Sequence, residues 1–214
     1  MSGLRIALAK GRLFEPSVAR FRLAGAALND DGGRKLLLSS SDPSIEFLIV
    51  KPGDVPVYVE SGAADLGITG TDVLRESGAD VLEPLELRFG YCRLVVASPE
   101  GGAYPLLAGG VTARVATKYP RLAQAFFATA GRPVDIIQVG GSVEVAPLLN
   151  LSHWIVDLVD TGNTLRANGL IERETILNCS AVLVANRASQ KLKLDAYLDL
   201  MERLERGSPR MPRV

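Results

Sequence analysis

Apolar positions in the first ninety residues fall into short runs separated by amphipathic segments. Three runs are typical of buried strands, and these are residues 5–9, 47–50 and 65–70. Three segments predict helices, and these are residues 14–24, 55–60 and 73–76. Asp54 and Asp72 are placed to cap the second and third helices. Strands that alternate with helices favour an α/β architecture with mainly parallel strands.

The pattern changes near Arg88 and then resumes. Further strands are predicted at residues 91–97, 111–116, 134–139, 155–159 and 181–185. Further helices are predicted at residues 119–129, 143–149 and 191–206, before a polar tail, residues 207–214, that we expect to be loose. This order predicts one lobe from residues 1–90, a second from 91–179, and a return of 180–214 to the first lobe. A cleft between two lobes is the usual place for a ligand.

Residues 155–170 form the most informative segment. An apolar, β-branched run leads through Thr161-Gly162-Asn163-Thr164 into a short helix that stops at Asn168-Gly169. Such a turn presents free backbone N–H groups at the positive end of a helix dipole, which suits a phosphate. Asp157 and Asp160 lie just before the turn, where acids suit sugar hydroxyls or a magnesium ion. The segment therefore predicts a site for a phosphorylated ribose.

Composition narrows the function classes. The 214 residues contain 24 Lys and Arg and 24 Asp and Glu, so no overall basic field favours nucleic acid. The cysteines, Cys92 and Cys179, are expected to be buried reduced thiols, and a single histidine, His153, offers no metal spacing or catalytic triad. With neither a signal segment nor a bilayer-length apolar run, a cytoplasmic protein is expected.

Other candidates also follow predicted strands. Lys10-Gly11-Arg12 could hold a polyphosphate, or its side chains could be solvated surface charges. Glu144, in the turn 140–144, could accept from an amino group or help to bind a metal, or Ser142 could simply cap a helix. Asp72 could line the cleft or cap a helix, and Arg88 and Arg93 could be surface cations.

Several segments together resemble the ATP phosphoribosyltransferase family. They are ALAKGRL at 7–13, DVPVYVE at 54–60, GAADLGITG at 62–70, FGYCRL at 89–94, ATKYP at 116–120, GSVEVAP at 141–147 and the motif at 157–170. The similarity continues to VANRAS at 184–189 and so spans nearly the whole chain. It implies two lobes like those of type II periplasmic binding proteins, with the active site in the cleft between them.

The resemblance also implies a reaction. It joins ATP to 5-phosphoribosyl 1-pyrophosphate in the presence of Mg²⁺ and yields N1-(5-phosphoribosyl)-ATP and pyrophosphate, the first step of histidine biosynthesis. By position, residues 161–164 would hold the 5-phosphate, and Asp157 and Asp160 the ribose hydroxyls. Lys10 and Arg12 would stabilise charge on the phosphates. The implied contacts with ATP are Lys10, Gly11, Arg12, Asp72, Arg88 and Glu144.

The chain resembles the short form of the family. That form implies a separate regulatory subunit similar to histidyl-tRNA synthetase, and a homodimer within a hetero-oligomer. The family usually has Gly and Asp where this chain has Asn150 and His153. The family's Asp would assist binding or hold the loop, and His153 occupies its position in this chain.

Two other functions compete with this interpretation. A solute receptor without catalysis could share the fold, although a secreted receptor should carry a signal segment. A phosphoribosyltransferase for another base could share the phosphate turn. The matching segments outside the turn argue against it.

Overall fold

A computed structural model describes residues 3–29 and 35–206. The strands, numbered along the chain, are β1 Leu4–Ala9, β2 Leu37–Ser39, β3 Ile45–Val50, β4 Leu66–Gly70, β5 Leu82–Glu86, β6 Cys92–Pro99, β7 Ala113–Thr117, β8 Val134–Gln138, β9 Trp154–Val159, β10 Leu170–Cys179 and β11 Ala181–Ala185. The α-helices are α1 Phe14–Leu23, α2 Val55–Glu60, α3 Thr71–Ser77, α4 Pro120–Thr129, α5 Asn163–Ala167, α6 Arg187–Leu192 and α7 Leu194–Arg206. The tail predicted to be loose, residues 207–214, lies outside the described residues.

The chain divides into two compact units at Gly90/Tyr91 and at Cys179/Ser180. The first unit contains a six-stranded sheet in the order β2-β3-β1-β4-β11-β5. Both faces of its central strand β1 are buried: Ile6 and Leu8 pack into one apolar cluster, and Ala7 and Ala9 into another. Burial on both faces explains why β1 is a continuous apolar run rather than an alternating one.

The second unit contains a five-stranded sheet in the order β10-β6-β9-β7-β8. Its strand β9 is also covered on both faces, because Trp154 and Val156 join one apolar cluster while Ile155 and Val159 join the other. Cys92 and Cys179 are register partners on β6 and β10, and both are buried and reduced, as expected.

The α/β class is confirmed, but the expectation of mainly parallel strands is wrong. Only β1 with β3 and β4, and β7 with β8 and β9, pair in parallel, so both sheets are mixed. In the first sheet β11 lies antiparallel between β4 and β5. In the second sheet β6 lies antiparallel between β9 and β10. Composition alone does not distinguish a buried antiparallel strand from a parallel one.

Some elements differ from the sequence predictions. Strands β2, β5 and β10 were not predicted, and the helix expected at 143–149 is only a 3₁₀ turn at Val143–Val145. The helix expected at 191–206 is interrupted at Lys193. Asp54 is the N-cap residue of α2, but its side chain makes no capping hydrogen bond. Asp72 is not the N-cap residue of α3, which is Gly70, and lies inside the first turn of that helix.

Candidate active site

A polar pocket of about 380 Å³ lies within the second unit. Its walls come from the carboxyl ends of the parallel strands β7 and β9 and from the turn that follows β8. The lining residues are Lys118, Ser142, Glu144 and residues 157–165. Since carboxyl ends of parallel strands are where open α/β sheets bind ligands, the topology brings this set to one point.

The turn at 160–164 adopts the strand-turn-helix form predicted from sequence. Gly162 has φ 78°, a left-handed conformation suited to glycine, and α5 begins at the next residue. The backbone N–H groups of Thr164 and Leu165 lie in the first turn of α5, where no helical carbonyl precedes them. Thr161 and Thr164 are exposed along the same pocket wall. The segment therefore offers several hydrogen-bond donors to one ligand.

Asp157 is half-buried in this pocket. Burial raises the pKa of its carboxyl above the usual value, and the charge of Glu144 raises it further, while the Leu158 N–H and the charge of Lys118 oppose the shift. A carboxylate held partly out of water is poised to accept hydrogen bonds from a ligand that replaces that water.

Lys118 is a pocket residue that the sequence predictions of site residues did not include. It follows β7 directly, as Lys10 follows β1, and the same position rule could have identified it. Its backbone is fixed by the preceding residue, because the buried Thr117 hydroxyl donates to the Val156 carbonyl at 2.7 Å and accepts from the Tyr119 N–H at 2.8 Å. Lys118 thus supplies a cation beside Asp157 and Glu144.

The turn after β8 joins the pocket through Ser142 and Glu144. Ser142 has φ 48° and makes no side-chain capping hydrogen bond, so the simpler interpretation of this serine as a helix cap is wrong. Its hydroxyl remains available to the pocket.

The predicted residues of the first unit share an edge of their own sheet. β1 and β4 are parallel. β5 runs in the same direction as β4, because β4 and β5 both pair antiparallel with β11. Their carboxyl ends lead to the exposed Lys10 and Arg12, to the buried Asp72 and to the exposed Arg88. Gly11, with φ 93°, turns the chain after β1.

His153 lies just before β9, at the opposite end of that strand from the pocket turn. Its Nδ1 accepts the Arg114 backbone N–H at 2.9 Å, and the Arg114 guanidinium donates to the carbonyls of Asn150 and Leu151, both at 2.9 Å. Burial, and then the charge of Arg114, lower the pKa of the imidazole. Asn150 has φ 55°, a left-handed conformation that asparagine tolerates better than most residues and that glycine, the family's usual residue here, adopts readily. His153 and the Asn150 carbonyl are thus both bound by Arg114 within this loop.

Protonation of His153 should destabilise the fold. Because its pKa is lower in the folded than in the unfolded chain, stability is full above the ordinary value of 6.5 and declines as the pH falls through it. We expect His153→Asn, whose Oδ1 can replace Nδ1 as acceptor, to remove this decline, an effect of no more than about 1 kcal/mol. The pH dependence of stability can be measured by chemical denaturation at pH values from 7.5 to 5.5, about one unit either side of the ordinary histidine pKa. Equal pH slopes for both proteins would exclude this role, since the chain has one histidine.

Within residues 3–29 and 35–206, no group of three or more His, Cys, Asp or Glu side chains is arranged to hold a metal ion. Among the helices that the structure describes, none is long and apolar enough to cross a membrane.

An α/β frame with a polar turn at the carboxyl edge of parallel strands is typical of proteins that bind a phosphorylated small molecule. Comparison with known proteins identifies the family. The sequence profile of HisG, ATP phosphoribosyltransferase, matches residues 51–206. The chain belongs to the ATP phosphoribosyltransferase family, a family of pentosyl-transferring enzymes, and the resemblance seen in the sequence is confirmed.

Curated relatives are similar over nearly their whole length. The chain is 47% identical over 207 residues to the ATP phosphoribosyltransferase of Caldanaerobacter subterraneus subsp. tengcongensis, covering 95% of this chain and 97% of the relative. It is 48% identical over 203 residues to the ATP phosphoribosyltransferase of Sorangium cellulosum, covering 94% of each.

Solved structures agree with the fold. The ATP phosphoribosyl transferase (HisG:HisZ) complex from Thermotoga maritima contains a chain that matches with a TM-score of 0.84 and 33% identity, over 95% of this chain and 97% of that one. The alkanesulfonate-binding protein SsuA from Xanthomonas axonopodis pv. citri matches with a TM-score of 0.56 and 14% identity, over 97% of this chain and 73% of that one. The second match shows the fold alone, which confirms the predicted likeness to periplasmic binding proteins.

Proposed function

We propose that this chain transfers the phosphoribosyl group of 5-phosphoribosyl 1-pyrophosphate to N1 of ATP. The products are N1-(5-phosphoribosyl)-ATP and pyrophosphate, and the reaction opens L-histidine biosynthesis. The observation that supports it most is the pocket of the second unit, which joins the donor-rich turn 160–164 to Asp157 in a chain of this family.

The roles in this pocket follow from its chemistry. Residues Thr161, Gly162, Asn163 and Thr164 hold the 5-phosphate through backbone N–H groups and side-chain donors. Asp157 accepts hydrogen bonds from ribose hydroxyls, and Asp160, which is exposed at the mouth of the turn, is a second acceptor. Lys118 balances the carboxylates and attracts the anionic substrate.

Catalysis in this proposal depends on alignment and charge. Adenine N1 attacks the anomeric carbon, the bond to pyrophosphate breaks, and the pyrophosphate leaves with its electron pair. The nucleophile belongs to the substrate, so the protein must orient N1 and stabilise the departing anion. Lys10 and Arg12 are the cations that we assign to this charge stabilisation.

ATP is assigned mainly to the sheet edge of the first unit. Lys10, Gly11, Arg12, Asp72 and Arg88 are the residues we assign to it there, and Glu144 of the second unit is assigned to the adenine amino group or to metal. The exposure of Lys10, Arg12 and Arg88 leaves these side chains accessible to a nucleotide.

Magnesium is the cofactor that fits the donor set. Mg²⁺ prefers oxygen ligands and is commonly bound by one or two carboxylates together with substrate phosphates. Asp157, Asp160 and Glu144 provide such oxygens in one pocket, in keeping with a metal that arrives with its substrate. When bound, the ion would neutralise charge on the pyrophosphate.

The proposal includes a partner and a location. A relative's solved structure is a HisG:HisZ complex, and we propose that this chain likewise works with a regulatory subunit resembling histidyl-tRNA synthetase. A homodimer of this chain within that hetero-oligomer and a cytoplasmic location complete the proposal.

Synthesis of the product tests the proposal directly. The purified chain, with and without its regulatory subunit, is incubated with ATP, 5-phosphoribosyl 1-pyrophosphate and Mg²⁺, and N1-(5-phosphoribosyl)-ATP is separated by chromatography. We expect product that depends on both substrates. Absence of product with an authentic partner subunit would refute the assignment. Replacing ATP with free nucleobases tests the alternative function, a phosphoribosyltransferase that acts on another base.

Thr164→Ala should weaken binding of 5-phosphoribosyl 1-pyrophosphate by about 1–3 kcal/mol, because a charged acceptor loses one donor. The matched control is Thr164→Ser, which keeps the hydroxyl and should bind within about threefold of wild type. Isothermal titration of both variants measures the difference. An unchanged Kd for Thr164→Ala would remove this hydroxyl from the phosphate site.

A further inference from the structure

Arg166 lies beside the phosphate turn but outside the residues that line the pocket, which end at Leu165. Its Nη2 donates to the Thr161 carbonyl at 3.1 Å and to Asn163 Oδ1 at 2.5 Å. The side chain thus reaches back along α5 and binds both sides of Gly162 without joining the pocket wall.

The first of these bonds fixes the orientation of a peptide. In a planar trans peptide the carbonyl and the following N–H point in opposite directions. Because the Thr161 carbonyl points at Arg166, the N–H of Gly162 points away from Arg166. A peptide turned the other way would present a carbonyl where this N–H now lies, and a carbonyl repels a phosphate oxygen.

The second bond orients a side-chain amide. Asn163 Oδ1 accepts from Arg166, so its Nδ2 group is left as the donor on the other side. Asn163 lines the pocket, and an amide presented by its nitrogen is the form that can bind an anion.

The surroundings of Gly162 hold Arg166 in place. A Cβ at this position would lie 3.1 Å from Arg166 Nη1 and 3.2 Å from Glu172 Oε1, so both side chains pack against the glycine. Glu172 is itself bound by Arg93, whose Nη2 donates to both carboxylate oxygens at 2.9 and 3.0 Å. Arg93, a cation without an assigned role in the sequence, thus supports the same side of the turn.

We propose that Arg166 is a positioning residue for the phosphoribosyl group: it holds the Thr161–Gly162 peptide and the Asn163 amide so that their N–H groups face the 5-phosphate. This inference rests on the proposed function. It assigns the effect to hydrogen bonds made through the turn, and not to contact between Arg166 and the substrate.

Substrate binding and kinetics of Arg166 variants test the inference. With the regulatory subunit present, Arg166→Ala should raise the KM for 5-phosphoribosyl 1-pyrophosphate about 10-fold. Its KM for ATP should stay within about twofold, because the proposal assigns ATP to residues outside the turn. Arg166→Lys, which restores one donor, should recover part of the loss. Arg121→Ala, which removes an exposed positive charge from α4 of the same unit, is the control for charge alone.

Titration of the chain alone separates the possible failures. If wild type does not bind 5-phosphoribosyl 1-pyrophosphate and makes no product in the presence of its regulatory subunit, the proposed function fails. If wild type binds it and Arg166→Ala binds it equally well, or loses no more affinity than Arg121→Ala, the positioning role is refuted. Thermal unfolding of each variant confirms that the comparison is between folded proteins.

Discussion

Asp157→Asn is expected to lower kcat/KM for 5-phosphoribosyl 1-pyrophosphate by about 10²- to 10³-fold, the range seen when a site loses a group that stabilises charge or orients substrate. The amide keeps the size of the side chain but replaces one acceptor oxygen with a donor. A ribose hydroxyl that donated to that oxygen would then meet an N–H. Steady-state kinetics with the regulatory subunit present measures the loss.

The same variant should be at least as stable as wild type. Burial raises the pKa of Asp157, so its charged form costs stability at neutral pH. The cost is absent below the ordinary carboxyl value of 3.8 and develops as the pH rises through the higher folded-state pKa. Removing the charge removes the cost. Loss of activity together with unchanged or increased stability is typical of a functional residue.

A strand carboxylate outside the pocket is the control for Asp157. Asp135 lies in β8 of the same sheet, is exposed and does not line the pocket, so Asp135→Asn should leave kcat/KM within about threefold. If Asp157→Asn also stays within that range, Asp157 does not bind the ribose. If the activity of Asp157→Asn falls only in proportion to the fraction of folded protein, the role of Asp157 is structural.

The turn after β9 could be predicted from the sequence because its signals are local. A β-branched run, a glycine that must adopt φ 78°, and an Asn-Gly pair that ends α5 each act within a few residues. The two-lobe α/β class was predicted for a similar reason, since it follows from the order of short apolar runs.

Strand β10 was missed because it lies at the edge of its sheet. Edge strands tolerate charged side chains, and residues Glu172, Arg173 and Glu174 interrupt the apolar pattern there. Their charges are satisfied by partners far away in sequence: Arg93 binds Glu172, and Arg132 binds Glu174 at 2.6 Å. Single-sequence periodicity does not contain such pairings.

The supporting residues of the candidate site were missed for a related reason. Lys118 lines the pocket because β7 and β9 are adjacent. Arg166 supports the turn because its side chain folds back and donates to the carbonyl of Thr161, five residues earlier. Strand order and side-chain direction decide both, and neither can be read from residue types.

Gly162→Ala should reduce affinity for 5-phosphoribosyl 1-pyrophosphate by about 10-fold, while Gly169→Ala should change it by less than about threefold. These glycines flank α5 and have similar left-handed conformations, with φ 78° and 66°. An alanine at either position should therefore cost a similar ~1–2 kcal/mol of stability. Their surroundings differ: nothing lies within 4 Å of a Cβ at Gly169, whereas a Cβ at Gly162 would press on Arg166 and Glu172.

The difference between the two variants isolates the contact with Arg166. To admit the methyl group, Arg166 Nη1, 3.1 Å from the added Cβ, must shift by a few tenths of an ångström, and we expect this shift to weaken the bonds of Nη2 to Thr161 and Asn163. Adding Arg166→Ala to Gly162→Ala should then cost little further affinity, because both changes remove the same interaction. Titration of the single and double variants, with denaturation curves beside them, measures the coupling. Equal affinity losses for the two glycine variants, or full additivity with Arg166→Ala, would show that the turn does not depend on this arginine.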